Sequence, residues 1–304
     1  MNAPPRAGKT GQGLIAPQQG VRILFGPARA AAERDMTAVT TLDSSAAWAS
    51  ATRMVAANRD LLMAIAGVFY VLPGLAGAVF VPSPAMTTEM SEAQMLAVMQ
   101  DYYASSLPVL LLLSLLPMAG MLTMLVAMLD TARPTVAQAI RHSVRALPTY
   151  FASQLLIALA IVPLSMALAS VLALILPDRL AVSVALGMLL YPIMRTMLVG
   201  PVVAGEGVRN PVNAIRESVR LTRRNAGRIL LFIGMAGFVF LVVYGLVMMF
   251  VGVVLVLMFK GEPQRLLGEG VAGVLLAIGY TYFVAMLAAV YKQLAGEQAG
   301  TSLR

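Results

Sequence analysis

Residues 229–259 read ILLFIGMAGFVFLVVYGLVMMFVGVVLVLMF, 31 positions without one charged side chain. At about 1.5 Å of rise per residue, a helix of this length exceeds the ~30 Å hydrocarbon core of a bilayer. Inside hydrocarbon, a backbone satisfies its own polar groups only as a helix or a closed barrel. The stretch lacks the period-two alternation of a barrel strand, so it reads as a transmembrane helix. Five further stretches share its character: 61–82, 107–129, 151–176, 180–204 and 271–291. Across all six, Arg195 is the one charged residue. The expectation is an all-α, polytopic membrane helix bundle with six transmembrane helices.

Composition agrees. Hydrophobic residues make up 59% of the chain, charged residues 12%, and mean hydropathy is +0.82. A soluble domain carries about 25% charge. The deficit follows from the cost of burying a charge in lipid, at least ~2.5 kcal/mol at a helix centre. There is no cysteine, which excludes disulfides and thiolate chemistry, and one histidine, His142, which cannot build a metal site by itself. No cofactor is expected.

The net charge of +8 raises nucleic acid as a partner, but its distribution points to the membrane and no nucleic acid is expected. Of 22 basic residues, 18 fall in the N-terminal region, loops 130–150 and 205–228, and the C-terminal tail. The alternate loops hold only Arg179, Lys260 and Arg265, together with six acidic residues. By the positive-inside rule both termini are cytoplasmic. Residues 1–40 are rich in Gly, Pro, Ala and Arg without periodicity, and read as a disordered cytoplasmic segment. Met36 reads as an alternative start. The membrane domain is expected over 41–296, and a flexible tail over 297–304.

The two basic loops are related. Residues 139–145, AIRHSVR, match 214–220, AIRESVR, at six of seven positions. The same offset of 75 carries Pro117 onto Pro192, and Leu155-Leu156 onto Leu230-Leu231. A weaker copy precedes span one, with Asn58 on Asn225, Ala47 on Ala214 and Arg53 on Arg220. Asp43, Thr135 and Asn210 then share one position, and each residue type is a good N-cap. The unit is cap, amphipathic helix, span, span, occurring three times. Copies an even number of spans apart share an orientation, so the repeat is parallel.

In the third copy, Val212, Ile215, Val219 and Thr222 share one helical face, opposite Arg216, Arg220, Arg223 and Arg224. Such a helix suits an anionic interface. These four arginines, with Arg141 and Arg145 of the second copy, are candidate contacts for lipid headgroups or a membrane-protein partner. The plainer reading is that they only enforce topology. On the other side, Ser91-Glu92-Ala93-Gln94 has the form of a capping box, which predicts a short external helix.

Arg195 is the candidate intramembrane polar site, because an intramembrane charge is a functional-site hypothesis by default. Asp130 is the nearest acidic candidate in depth. The competing reading has Arg195 snorkel toward the cytoplasmic interface. Pro73, Pro117 and Pro192 are expected kinks, and Gly234, Gly237, Gly245 and Gly252 permit close helix packing. His142 falls on the outer face of its helix, where Glu217 falls in the third copy. No zinc-protease, nucleophile-elbow or P-loop motif occurs.

The segment Asn210–Thr222, followed by Asn225 and the apolar run from Ile229, resembles a bacterial six-span family. This is the membrane domain associated with glycerophosphoryl diester phosphodiesterases, with its stand-alone YciC-type relatives. Ala47-Trp48 with Asn58, and the closing Val290-Tyr291-Lys292-Gln293-Leu294, are similar to its ends. The resemblance spans roughly residues 40–296 and implies a membrane module, located in a bacterial inner membrane. The phosphodiesterase chemistry of that family belongs to a separate soluble domain, absent from this chain. The expected function is therefore a non-enzymatic module that organises lipid or a membrane partner. The alternative is a small-molecule or lipid transporter using a site near Arg195.

Overall fold

The computed structural model describes residues 41–302, apart from 82–83, 85, 88–89 and 131–134. The expected disorder of 1–40 lies outside the described residues. The protein is an all-α bundle, and six of its helices are long and apolar enough to cross a membrane. The first copy supplies α1 (Ser44–Ala57), α2 (Arg59–Ala66), a π-helical turn (Gly67–Val71), α3 (Leu72–Phe80) and α4 (Glu92–Leu129). The second supplies α5 (Val136–Leu172), α6 (Asp178–Thr196) and α7 (Val199–Glu206). The third supplies α8 (Pro211–Thr222), α9 (Ala226–Met258) and α10 (Glu262–Ser302).

The caps form as the sequence implies. Asp43 accepts from the Ser45 and Ala46 N–H groups, and Asn210 from those of Val212 and Asn213. Thr135 forms a reciprocal capping box with Gln138. The Ser45 hydroxyl and these N–H groups hold the Asp43 carboxyl below its ordinary pKa. Each cap is followed at the same spacing by two buried small residues: Ala47 and Ala51, Ala139 and Ser143, Ala214 and Ser218. One helical turn apart, each pair lets its helix seat closely on the bundle.

The helices end where the chemistry changes, with instructive departures. The amphipathic segment of the second copy does not stop before its span; α5 is one helix of 37 residues. Asn58 and Asn225 break the other two copies with non-helical backbone (φ −124° and −117°), whereas Tyr150 occupies that position here. Likewise the expected short external helix is no separate element. Its capping box forms, but α4 continues from it for 38 residues, with Pro108 and Pro117 inside. α10 runs from Glu262 to Ser302, into the segment expected to form the tail.

Span one contains the π turn just before Pro73, and the Leu72 N–H reaches back five residues to the Gly67 carbonyl. A widened turn accommodates a proline that has no N–H and crowds the preceding turn. Span four breaks at Met197–Leu198, five residues beyond Pro192.

Burial is uneven along the bundle. In α4 the buried residues run from Ala119 to Met128, and in α9 from Ala226 to Ile233. All of them lie toward the end that carries α1 and α8, here termed the basic end. There Leu122, Leu125, Leu198, Ile229 and Leu287 form a core almost without exposure. Toward the opposite end most side chains are exposed, although Ala181, Ala185 and Leu189 remain buried in α6. In α9 even the consecutive Leu241, Val242 and Val243 are exposed, so that half of the helix offers most of its circumference to its surroundings.

Long-range hydrogen bonds reinforce the basic end. The Leu42 N–H donates to buried Asn225 Oδ1 at 3.1 Å, joining the first copy to the third. Thr149 Oγ1 donates to the Arg209 carbonyl at 3.1 Å, joining the second to the third. Lys292 Nζ donates to the Met128 carbonyl at 2.7 Å, capping the C-terminus of α4 from α10. Such charge-assisted bonds, a cation on a helix C-terminus included, are among the stronger ones.

Candidate functional site

The sequence brings two groups of candidates to the basic end, and both converge on α8. Its buried residues are Ala214, Ser218, Leu221 and Thr222. The buried stripe is thus rotated from the expected Val212, Ile215, Val219 and Thr222 face. Val212 is half exposed, while Ile215 and Val219 are partly buried. Small residues win the contact because they allow close approach to α6 and α7. Hydropathy alone ranks the larger side chains first.

Docking on that face leaves Arg216, Arg220, Arg223 and Arg224 exposed, and Arg141 and Arg145 are exposed on α5. Among the described residues, Arg220 is the only one of these six in an ion pair. Its Nε lies 3.1 Å from Glu217 Oε1, which raises the arginine pKa further. Among the described residues the other five side chains have no ion-pair partner. His142 is exposed on the same face as Arg141 and Arg145, as a surface position.

Arg195 is half-buried and turns toward α8. Its Nη2 donates to the Val219 carbonyl at 3.1 Å, its Nη1 to Tyr191 Oη at 3.3 Å, and its guanidinium stacks 5.6 Å from the Tyr191 ring centroid. Nε is buried without a hydrogen-bond partner. No described carboxylate pairs with it. Asp130 instead lines a separate cavity of about 350 Å³ with Ser50, Arg53 and Asn58.

The backbone at Arg195 explains the arrangement. The break at Met197–Leu198 strips its carbonyl of a helical donor. Ser218 Oγ at 2.9 Å and Thr222 Oγ1 at 3.2 Å, both on α8, replace it. Arg195 in return covers a carbonyl in the last turn of α8, where a cation is favoured. The contacts run between span four and the interfacial helix in both directions.

Sequence reading missed a cluster deeper in the bundle. Tyr150, Gln154, Thr196 and Tyr280 border a cavity of about 290 Å³ between spans two, three, four and six. Tyr150 Oη and Tyr280 Oη lie 3.4 and 3.6 Å from Met121 Sδ, and Tyr70 Oη donates to the Pro117 carbonyl. The only sequence signal was phenol groups inside apolar runs, which also occur for packing alone. Arg195 does not line this cavity. Among the described residues no three His, Asp or Glu side chains converge as metal ligands.

Fold and site together define a multi-pass membrane protein with six candidate spans and an arginine-bearing layer at its packed end. No family model matches the chain, and neither a curated protein nor a solved structure matches it.

Proposed function

We propose that the protein is a non-enzymatic module of a bacterial inner membrane that gathers anionic lipid, or a membrane partner presenting similar charge, at its cytoplasmic face. The observation that carries this reading is the displayed arginine face of α8, held outward by a buried stripe of small residues. An arginine at an anionic surface contributes about 1 kcal/mol, so a fixed cluster is a graded electrostatic anchor. The threefold cap–helix–hairpin repeat supports the same reading, since it would set three interfacial segments on one face. The transporter alternative has the 290 Å³ cavity in its favour, but Arg195 is not among its lining residues.

Reconstitution in nanodiscs tests the reading. The thermal midpoint should rise as phosphatidylglycerol replaces phosphatidylcholine, and the increment should shrink as salt is raised from 0.05 to about 0.5 M. Equal midpoints in the two lipids would sink it.

The orientation is tested separately, in a chain that has no native cysteine. Met90→Cys and Arg265→Cys should react with an impermeant thiol reagent applied to intact cells, while Arg216→Cys should stay protected. Labelling at 216 would reverse the topology.

A further inference from the structure

Span one and α10 leave an apolar groove between them. Toward the basic end it has a volume of about 670 Å³, lined by Leu62, Gly67 and Val71 on one wall and by Ala277, Ile278 and Tyr282 on the other. A second section of about 620 Å³ continues past the shared Val274 to Leu75 and Val79. From Arg59 to Val79 the helix rises about 30 Å, one hydrocarbon thickness. The first section, from Arg59 to Leu72, covers roughly 20 Å of this, somewhat more than one leaflet.

The two ends of this path differ. Arg59 is the single charged residue lining either section, and it sits at the basic end. Its Nε lies 3.4 Å from Asp60 Oδ1, and both side chains are largely exposed, a geometry in which an ion pair holds little. The Nη groups have no other hydrogen bond among the described residues. Tyr282 lines the same mouth and stacks on Trp48, ring centroids 6.2 Å apart, an aromatic pair of the kind found at headgroup level. Below it the wall is apolar apart from Thr281, whose hydroxyl donates to the Ala277 carbonyl at 2.8 Å, and it is open sideways: Met63, Val68 and Leu72 are all exposed. A Cβ at Gly67 would meet nothing within 4 Å.

We propose that this groove is a binding site for one anionic phospholipid, its phosphate on Arg59 and an acyl chain laid along Leu62, Gly67 and Val71. A cation at one end of an apolar slot one leaflet deep matches an amphiphile with a single negative headgroup. The proposal rests on the lipid-gathering reading above and names a particular site within it.

The test uses the full chain in nanodiscs of equal phosphatidylglycerol and phosphatidylcholine, released for native mass spectrometry. Wild type should retain one phosphatidylglycerol in preference to phosphatidylcholine. Gly67→Leu starts from a Cβ with no atom within 4 Å, extends into the slot and should cut retention about tenfold or more. Its thermal midpoint in phosphatidylcholine should be at or above wild type, since leucine favours a helix over glycine. Arg59→Gln should keep chain binding but lower the phosphatidylglycerol preference about fivefold, the worth of one arginine at an anionic surface. Undiminished retention by Gly67→Leu would overturn the site. Equal retention of both lipids by wild type, or displacement of the lipid by free fatty acid or a second copy of the chain, would overturn its occupant. Loss of the α8 arginines tests the broader reading alone: the groove lipid should survive it. Retention that disappears with those arginines, while Gly67→Leu behaves as wild type, would refute the groove and leave the broader reading standing.

Discussion

Gly120→Val is expected to abolish recovery of the folded protein, and Gly120→Ala to lower its thermal midpoint sharply. Gly120 lies where α4 crosses the π turn of span one. A Cβ there would fall 2.6 Å from Phe69 Cβ and 2.9 Å from Tyr70 Cε2. Phe69 Cβ is bound directly to the backbone and cannot swing aside, so the two helices must separate. Separation would also stretch the 2.9 Å bond from Tyr70 Oη to the Pro117 carbonyl. Overpacking of this kind costs about 1–3 kcal/mol, and loss of a hydrogen bond adds about 1 kcal/mol. Against a stability of about 5–15 kcal/mol, alanine removes a sizeable part, and valine forces two further methyl groups into the same backbone-bound contact and removes more. Gly234 is the control: a Cβ there meets nothing within 4 Å, and Gly234→Ala should be neutral or slightly stabilising. Size-exclusion profiles and thermal midpoints in one detergent decide the matter. A wild-type midpoint for Gly120→Val would show that the contact does not hold spans one and two together.

The second large effect is expected at α8. Replacing Arg216, Arg220, Arg223 and Arg224 together by glutamine removes four exposed cations while leaving Ala214, Ser218, Leu221 and Thr222 in place. The fold should survive, because none of the four is buried and, among the described residues, only Arg220 has an ionic partner. At about 1 kcal/mol per arginine the preference for anionic lipid falls by up to about 4 kcal/mol, near a thousandfold. Arg220 contributes least, being shared with Glu217. The readout is the phosphatidylglycerol-induced rise in midpoint, which should vanish. The four lysine replacements keep the charge and should keep the response. A glutamine variant that responds like wild type would mean that these arginines serve topology alone.

The α8 arginines were legible in the sequence because exposure follows from periodicity and charge, both local properties. Arg195 was legible as an oddity but not as a contact. Its partner is a main-chain carbonyl 24 residues away, and carbonyls carry no sequence signature. The groove was invisible for a related reason. Leu62, Gly67 and Ile278 look like any other residues of apolar spans until span one and α10 are set side by side.

By itself the sequence determined the six spans, the three caps and the segregation of basic residues. Each follows from properties within a few residues: transfer free energy, N-cap stereochemistry and the cost of a charge in hydrocarbon. Only the tertiary structure decided that α5 runs unbroken, that α4 absorbs the external helix and that α8 docks by its small residues. It alone decided that the bundle is packed at one end and open at the other. Lipid tails are as apolar as a protein core, so hydropathy does not distinguish a side chain facing a helix from one facing the bilayer. That choice is made by steric fit and by hydrogen bonds between distant segments, such as Leu42 to Asn225 and Ser218 to Arg195.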